Sequence, residues 1–388
     1  MDFIEISDAE ALAAYTARVH EAESLCVDTE FMRERTYWPE LALVQVCADQ
    51  QCAVIDPLAF DAREGLSKLL GNPDQVKVFH AAGQDMEVLH HSLGMVPAPV
   101  FDTQLAASLL GYGDQIGYGA LIERTMGHQL PKAFSRLNWK QRPIEREALE
   151  YAAADVIWLE GAYAKLRAEL DRLGRSDWLD EDFAQLVEPS RWTVEPEGAW
   201  RKLKGLRKLR PNQRQLAARV AAWRETKALA RNLPRKWVLK DDVILDMARR
   251  KPKTADELRR IRGQEDKAIQ RDGADMLAAL AADQHWPELN EKDERPLPAE
   301  SEPVVDALMA LLRLQALAHG MTASAIAGRN DLIKLAAGDR GSALLQGWRA
   351  KVAGRALKAF LDGDSQLAVS GDPGQPRLGN PSHPDDTA

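Results

Sequence analysis

Val27-Asp28-Thr29-Glu30-Phe31 sets two acids, Asp28 and Glu30, at the end of an apolar run that begins at Leu25. On a strand, residues two apart point to the same side. Two like charges side by side repel, so the pairing is costly unless something offsets it. A bound cation would do so. Hard divalent cations favour carboxylate oxygens, and magnesium usually takes one or two of them plus waters and phosphate oxygens. The pair alone also fits a solvated strand end, so the rest of the chain has to decide.

Downstream, Leu41–Ala48 and Gln51–Ile55 are apolar and β-rich, and Asp49-Gln50 between them predicts a tight hairpin. Lys77–His80 reads as another short strand. Within Gly83–Leu93, the positions Met86, Leu89, His90 and Leu93 recur at helical spacing. Val100–Phe101 reads as a fifth strand, followed by a helix from Asp102 or Thr103 to Leu110. Glu145–Leu170 is one long helix-rich stretch. Hairpin-linked strands followed by strand–helix alternation predict an α/β domain over residues 1–170, a mixed sheet flanked by helices. Two further acid positions fall at its element ends. Asp85 lies in the first turn of a predicted helix, where the macrodipole alone also favours an acid. Tyr151 and Asp155 are four apart on a helix and share one face, and the three alanines between them allow close packing on a sheet.

Residues 171–205 read as a connector containing Gly174, Pro189, Pro196 and Gly198. Residues 206–285 are helical in pattern, 286–303 form a second connector rich in Pro and acids, and 304–363 are a second helical block. Residues 364–388 turn to Gly, Pro, Ser and Asp, which predicts a disordered tail.

A chain of 388 residues, 45% hydrophobic, has room for two or three domains. No apolar run approaches the ~18–20 residues that cross a bilayer. Met1–Asp8 is acidic and lacks the layout of a signal peptide, so the cytoplasm is the expected location. The three cysteines, Cys26, Cys47 and Cys52, are too few and of odd number for a disulfide framework, and are expected to be small buried hydrophobes. The net charge of −8 taken alone argues against a nucleic-acid partner. Its distribution reverses that. Residues 201–260 hold 20 Lys and Arg against 6 Asp and Glu, a local net of +14 that leaves −22 for the remainder. Such a basic segment is a candidate phosphate-binding surface, with a solvated helical face as the alternative.

Taken together, Asp-x-Glu on a first strand, Asp85 after a later strand and Tyr151-x-x-x-Asp155 on a last helix resemble the three exonuclease motifs of the DEDD superfamily, in its DEDDy branch. The longer text Val27–Leu41, Phe101-Asp102-Thr103-Gln104 and Leu149–Val156 resembles ribonuclease D. The resemblance implies an RNase H-like sheet and two divalent metal ions, magnesium before manganese. It implies Asp28 as ligand to both metals, Glu30 and Asp155 on the one that activates water, and Asp85 on the second, largely through water. Tyr151 would orient the attacking water. The implied activity is a 3′→5′ exoribonuclease that releases nucleoside 5′-monophosphates from structured RNA precursors such as tRNA. No membrane and no obligate protein partner is expected. That branch uses the tyrosine, so His80 is not expected to act, and His90-His91 are expected to be structural. Phe31, Tyr37 and Trp38 could stack on terminal bases or serve the core.

The run Trp223-Arg224, Ala228, Asn232, Pro234, Val238-Leu239 and Asp241-Asp242 resembles the HRDC domain, a helical module shared by RecQ-type helicases and ribonuclease D. Its Lys and Arg would lie outside and contact phosphates without reading sequence. Ala325-Ile326-Ala327, Arg329–Leu332 and Gly347-Trp348-Arg349 make residues 304–363 resemble a degenerate second copy. That block would either fix the shape of the molecule or contact RNA. Two other functions stay open: a 3′→5′ DNA exonuclease with the same acids, and a non-catalytic nucleic-acid-binding protein.

Overall fold

The computed structural model describes residues 2–130, 137–289, 298–370 and 377–379. One mixed sheet organises the N-terminal part. Its strands are β1 (Ile4–Ile6), β2 (Ser24–Met32), β3 (Glu40–Ala48), β4 (Gln51–Ile55), β5 (Val76–Phe79) and β6 (Val100–Asp102), in the order β1-β4-β3-β2-β5-β6. β2, β3 and β4 are antiparallel, and β1, β5 and β6 join in parallel. The three-residue strand β1 escapes a sequence reading because only Ile6 of it is buried.

Helices α1 (Ala9–Val19), α2 (Arg63–Leu70) and α3 (Gly83–Leu93) cover one face. Leu12, Leu66, Leu70, Met86 and Leu89 meet Val27, Val44, Val46 and Phe79 there. After α4 (Thr103–Leu109) and α5 (Tyr118–Met126), α6 (Arg146–Ile157) and α7 (Leu159–Arg172) cover the other face. The helix-rich stretch Glu145–Leu170 is thus two helices that meet at Trp158.

The cysteine expectation is corrected. Cys47 and Cys52 form a disulfide, and Cys26 is a buried free thiol. The reason is register. Asp49 and Gln50 both adopt positive φ (49° and 62°), the geometry of a tight hairpin turn, which sets Cys47 directly opposite Cys52.

The connector expected at 171–205 carries helix α8 (Asp180–Val187), whose Phe183 and Leu186, three apart, pack into the core beside the sheet. The next helices are α9 (Pro211–Arg231), α10 (Arg235–Val238), α11 (Asp241–Arg250), α12 (Ala255–Arg259) and α13 (Asp266–Ala281). They enclose a core of Ala217, Ala221, Ile244, Met247, Leu258 and Met276. Not all the cations of this segment lie outside, as expected. Arg224 is 1% exposed and donates to Asp241 (2.6 Å), while Arg231 pairs with the buried Asp272 and Arg235 with the buried Glu225. A guanidinium buried without such a partner would be far costlier than one in water, so these arginines are spent on structure.

The last block holds α14 (Glu302–Ala318), α15 (Ala323–Ile326), α16 (Arg329–Ala336) and a helix at Arg355–Asp362. It does not stand apart. Leu308, Leu311, Leu312 and Leu357 share one continuous core with Leu109, Leu121, Leu166 and Leu170 of α4, α5 and α7. Gly111 (φ +71°) allows the approach, since a Cβ there would lie 2.8 Å from the Gly320 carbonyl oxygen. Part of the tail expected to be disordered is paired: Ala368–Ser370 and Arg377–Gly379 form an antiparallel ladder with Val369 opposite Leu378. Residues 290–297 of the second connector, and 371–376 and 380–388 of the tail, lie outside the described residues. Among the described residues no helix is long and apolar enough to cross a membrane.

Candidate active site

β2 is the middle of the sheet, and its parallel pairing with β5 covers only Ser24–Cys26. Asp28 and Glu30 therefore stand beyond the end of β5, on the face that α6 covers. A register shift between Glu30 and Phe31 bends the strand at this point. Ala152, Ala153 and Ala154 of α6 are buried, and small side chains let the helix lie close on β3 and β4. That brings Asp155 over β2. Ligand oxygens of Asp28, Glu30 and Asp155 all lie within 4.8 Å of one another.

Asp85 enters from the first turn of α3 and is 7% exposed. The Thr29 hydroxyl donates to its Oδ1 at 2.5 Å. Asp85 stands outside the three-carboxylate cluster but close enough that its charge is felt by Glu30. Its position depends on Asp102. That buried carboxylate accepts from the backbone N–H groups of Ala81 (3.1 Å) and Ala82 (2.9 Å) while capping α4 through Gln104 (2.8 Å). Asp102 thus clamps the turn, with Ala81 at φ 61°, that leads from β5 into α3.

The electrostatics of the cluster favour a cation. Two unit charges about 5 Å apart at an effective dielectric of about 20 repel by about 3 kcal/mol. Surface ion pairs are worth only about 0–1 kcal/mol, so this is no ordinary solvated patch. Burial, with the neighbouring Asp155, raises Asp28 well above the usual carboxylate range. Burial first, then Asp28, Asp155 and Asp85, push Glu30 up to about 9. Burial raises Asp155 to about 7. Gln45, the cross-strand partner of Asp28, is fully buried, and neither of its amide atoms has a hydrogen-bond partner. Four acids and an orphaned amide at one strand end suit hard divalent cations, which take oxygen ligands.

These shifts make a prediction for the metal-free chain. A group whose folded pKa is raised gives its stability in full below its unfolded pKa, and that stability is lost as pH rises through the folded value. With unfolded values near 4 and Glu30 at about 9, the window spans about pH 4–9. The melting temperature of chelator-treated protein should fall as pH rises from about 5 to about 9. Saturating magnesium should remove most of that fall. A metal-free melting temperature that stays level across the window would show that the carboxylates do not strain the fold.

Tyr151 lies one turn before Asp155, its ring stacked near Trp139 at 6.5 Å between centroids. Burial first, then Asp155, Glu30 and Asp28, push its hydroxyl up to about 12. His80 is engaged at both ring nitrogens, by the Thr103 hydroxyl and the Ile116 carbonyl, each at 3.0 Å, and burial lowers its pKa. That is a structural histidine. His91 is stacked on Trp38 at 4.3 Å. Phe31 packs against the sheet core.

Tyr37 takes the second of the two roles expected of it and serves a core, with Ala228 and Val238. It is 4% exposed and sits at the junction with the basic helices. Its hydroxyl donates to Glu225 and accepts from Arg235 at 3.0 Å. Asn232, in the left-handed conformation that ends α9, accepts from the N–H groups of Tyr37 (3.0 Å) and Trp38 (3.2 Å). The loop that leaves β2 is thereby bolted to the helical segment. Gln45, Asp102 and this junction were missed by sequence reasoning. The signals were a Gln within an apolar strand and the presence of Asp102, Tyr37 and Asn232 in the quoted motifs, none of which gives a partner.

The chain is similar to known proteins in sequence and in fold. Residues 3–171 match the 3'-5' exonuclease family, and residues 213–280 match the HRDC domain family. The ribonuclease D of Sphingobium indicum is 38% identical over 374 residues, covering 94% of this chain and 96% of that protein. The ribonuclease D of Acidiphilium cryptum is 40% identical over 377 residues, covering 94% and 95%. Escherichia coli RNase D, described as an exoribonuclease involved in structured RNA processing, superposes with a TM-score of 0.82 at 29% identity, covering 94% of this chain and 99% of that one.

Proposed function

Since the chain belongs to the ribonuclease D family and is a 3′→5′ exoribonuclease, we propose that it trims the 3′ ends of structured RNA precursors, tRNA among them, in the cytoplasm. The observation that carries the proposal is the convergence of Asp28, Glu30 and Asp155 within 4.8 Å, with Asp85 beside them. Asp28, Glu30 and Asp155 would hold one divalent ion, and Asp85 with Asp28 a second, magnesium before manganese. Such ions, when bound, lower the pKa of water and stabilise charge on the leaving 3′-oxygen.

The chain's own residues then have separate tasks. Tyr151, at about 12, keeps its proton at neutral pH, so its hydroxyl orients the water rather than acting as a free base. Thr29 holds Asp85 by a hydrogen bond to one carboxylate oxygen. The water oxygen bonds to the terminal phosphorus and the bond to the upstream 3′-oxygen breaks. The products are a nucleoside 5′-monophosphate and an RNA one residue shorter with a 3′-hydroxyl.

The domain plan belongs to the same reading: nuclease at 1–170, HRDC domain at 206–285, and at 304–363 a degenerate HRDC-like block. The core that this last block shares with α4, α5 and α7 favours a shape-fixing role for it over RNA contact.

The test is incubation with 3′-extended tRNA and with single-stranded DNA, with and without magnesium, and identification of the products. Nucleoside 5′-monophosphates from RNA, dependent on metal, are expected. Preferential loss of deoxynucleotides would replace the proposal by a DNA exonuclease, and no release at all by a binding protein.

A further inference from the structure

Of the ten tryptophans, all among the described residues, Trp237 alone is exposed, with 59% of its surface open. It projects from α10, whose other side is anchored by the buried Val238. Its ring borders a cleft of about 530 Å³. One wall of the cleft is the loop after β2, with Arg33 and Tyr37, and the other wall is Lys202, Arg235 and Lys236 with Trp237. The cleft thus lies where the nuclease sheet meets the basic helices.

Its charges are of two kinds. Arg33 is held by Glu87 at 2.7 Å, and Arg235 by Glu225 at 2.7 Å, so these cations are already matched. Glu34 also lines the cleft. Lys202 and Lys236 are exposed and make no ion pair with any described residue. The cleft thus brings together an exposed indole ring and two unmatched ammonium groups. It has the composition of a single-stranded nucleic-acid site, where bases stack on aromatic rings and cations follow the phosphates. Position agrees. Arg33, on one wall of the cleft, follows Glu30 by three residues, a backbone span of at most about 10 Å, so an RNA strand of a few nucleotides can reach from the carboxylates to the cleft. The Tyr37–Glu225–Arg235 and Asn232 contacts hold both walls in fixed relation.

We propose that this cleft is a single-stranded RNA subsite a short way upstream of the scissile bond, in which Trp237 stacks on one base and Lys202 and Lys236 contact the neighbouring phosphates. The proposal rests on the exoribonuclease reading and adds a second point of grip on the same strand. It also gives the helical segment a direct part in holding the strand being cut, since one wall of the subsite belongs to each side.

The experiment compares kcat/KM of the full chain for single-stranded RNAs of two and twelve nucleotides, in magnesium. The ratio of the two values reports the grip upstream of the cut. Trp237→Ala should shrink that ratio by about tenfold, the size of one base–aromatic stack. Trp237→Phe, which still stacks, should keep most of it. Leu317→Ala, at an exposed apolar residue of α14, should leave the ratio unchanged. Lys202→Ala and Lys236→Ala should each make the salt dependence shallower by about 0.7. Circular dichroism confirms that each variant is folded. A ratio within twofold of wild type for Trp237→Ala, or an equal loss for Trp237→Phe, overturns the subsite and leaves the exoribonuclease reading intact. A wild-type chain that removes no nucleotide from either RNA overturns that reading, and the subsite with it.

Discussion

Asp28→Asn should lower kcat/KM on RNA by at least ~10³-fold, about 4 kcal/mol of transition-state stabilisation. The substitution removes one unit of charge from a carboxylate in the centre of the cluster and leaves the shape nearly unchanged. Asp155→Asn should behave alike. Both variants should fold, and in chelator both should melt higher than the wild type. Burial and mutual repulsion already keep Asp28 well above the ordinary carboxylate range, so the native site is poorest in stability when its acids are charged and no cation is present. An amide at position 28 ends its repulsion of Glu30 and Asp155. The rise in melting temperature that magnesium produces should shrink at the same time. Activity lost and metal-free stability gained is a pairing that general damage to the fold cannot produce. Near-normal turnover by either folded variant would falsify the metal-ligand assignment.

The acids were legible because strand and helix periodicity constrain them locally. Alternation places Asp28 with Glu30, and the i, i+4 step places Tyr151 with Asp155. What was not legible depends on pairing between distant segments. Gln45 sits in Leu41–Ala48, where alternation marks it only as one more strand residue, and its position opposite Asp28 appears once β2 and β3 are in register. The turn clamp by Asp102 needs β6 beside β5. Tyr37 meets Glu225 and Asn232 across nearly two hundred residues of chain, and no local pattern encodes that contact. The disulfide follows the same logic: a count of three cysteines argued against it, and the ladder position of two of them produced it.

Contact between the blocks is not encoded in local patterns either. Separate hydrophobic patterns suggest that a chain ending near Leu170 would be a self-sufficient nuclease. The shared core contradicts this. Leu109, Leu121, Leu166 and Leu170 are covered by Leu308, Leu311, Leu312 and Leu357, and a fully buried leucine is worth about 1.5–3 kcal/mol. Removing the last block would expose several of them, a loss comparable with the whole stability of a typical domain, about 5–15 kcal/mol. The basic segment carries a similar correction. Its net of +14 overstates the surface offered to phosphates, because Arg201, Lys227 and Arg231 pair with acids outside the segment, Glu288, Asp275 and Asp272. Lys202 and Lys236 are among those left to act. Single substitutions in the full chain are therefore the proper probes of RNA contact here.

Tyr151→Phe should slow the chemical step by about 10²-fold while sparing metal affinity. The phenyl ring keeps the packing beside Trp139 and loses only the hydroxyl. That hydroxyl is a turn away from Asp155 on α6, and burial first, then three acids of the cluster, raise its pKa to about 12. At neutral pH it is a proton donor, fit to fix the orientation of a water molecule, and losing one positioned group of that kind commonly costs ~10²–10³-fold. Single-turnover kinetics with saturating enzyme separate this from slower binding or product release. The comparison with Asp155→Asn is decisive. Loss of a ligand should weaken magnesium binding and turnover together, whereas loss of the hydroxyl should lower turnover at unchanged magnesium affinity. An unchanged single-turnover rate would reassign Tyr151 to packing. A parallel drop in magnesium affinity would mean that the hydroxyl acts by holding the acids in place, and that the water is oriented by the carboxylates alone.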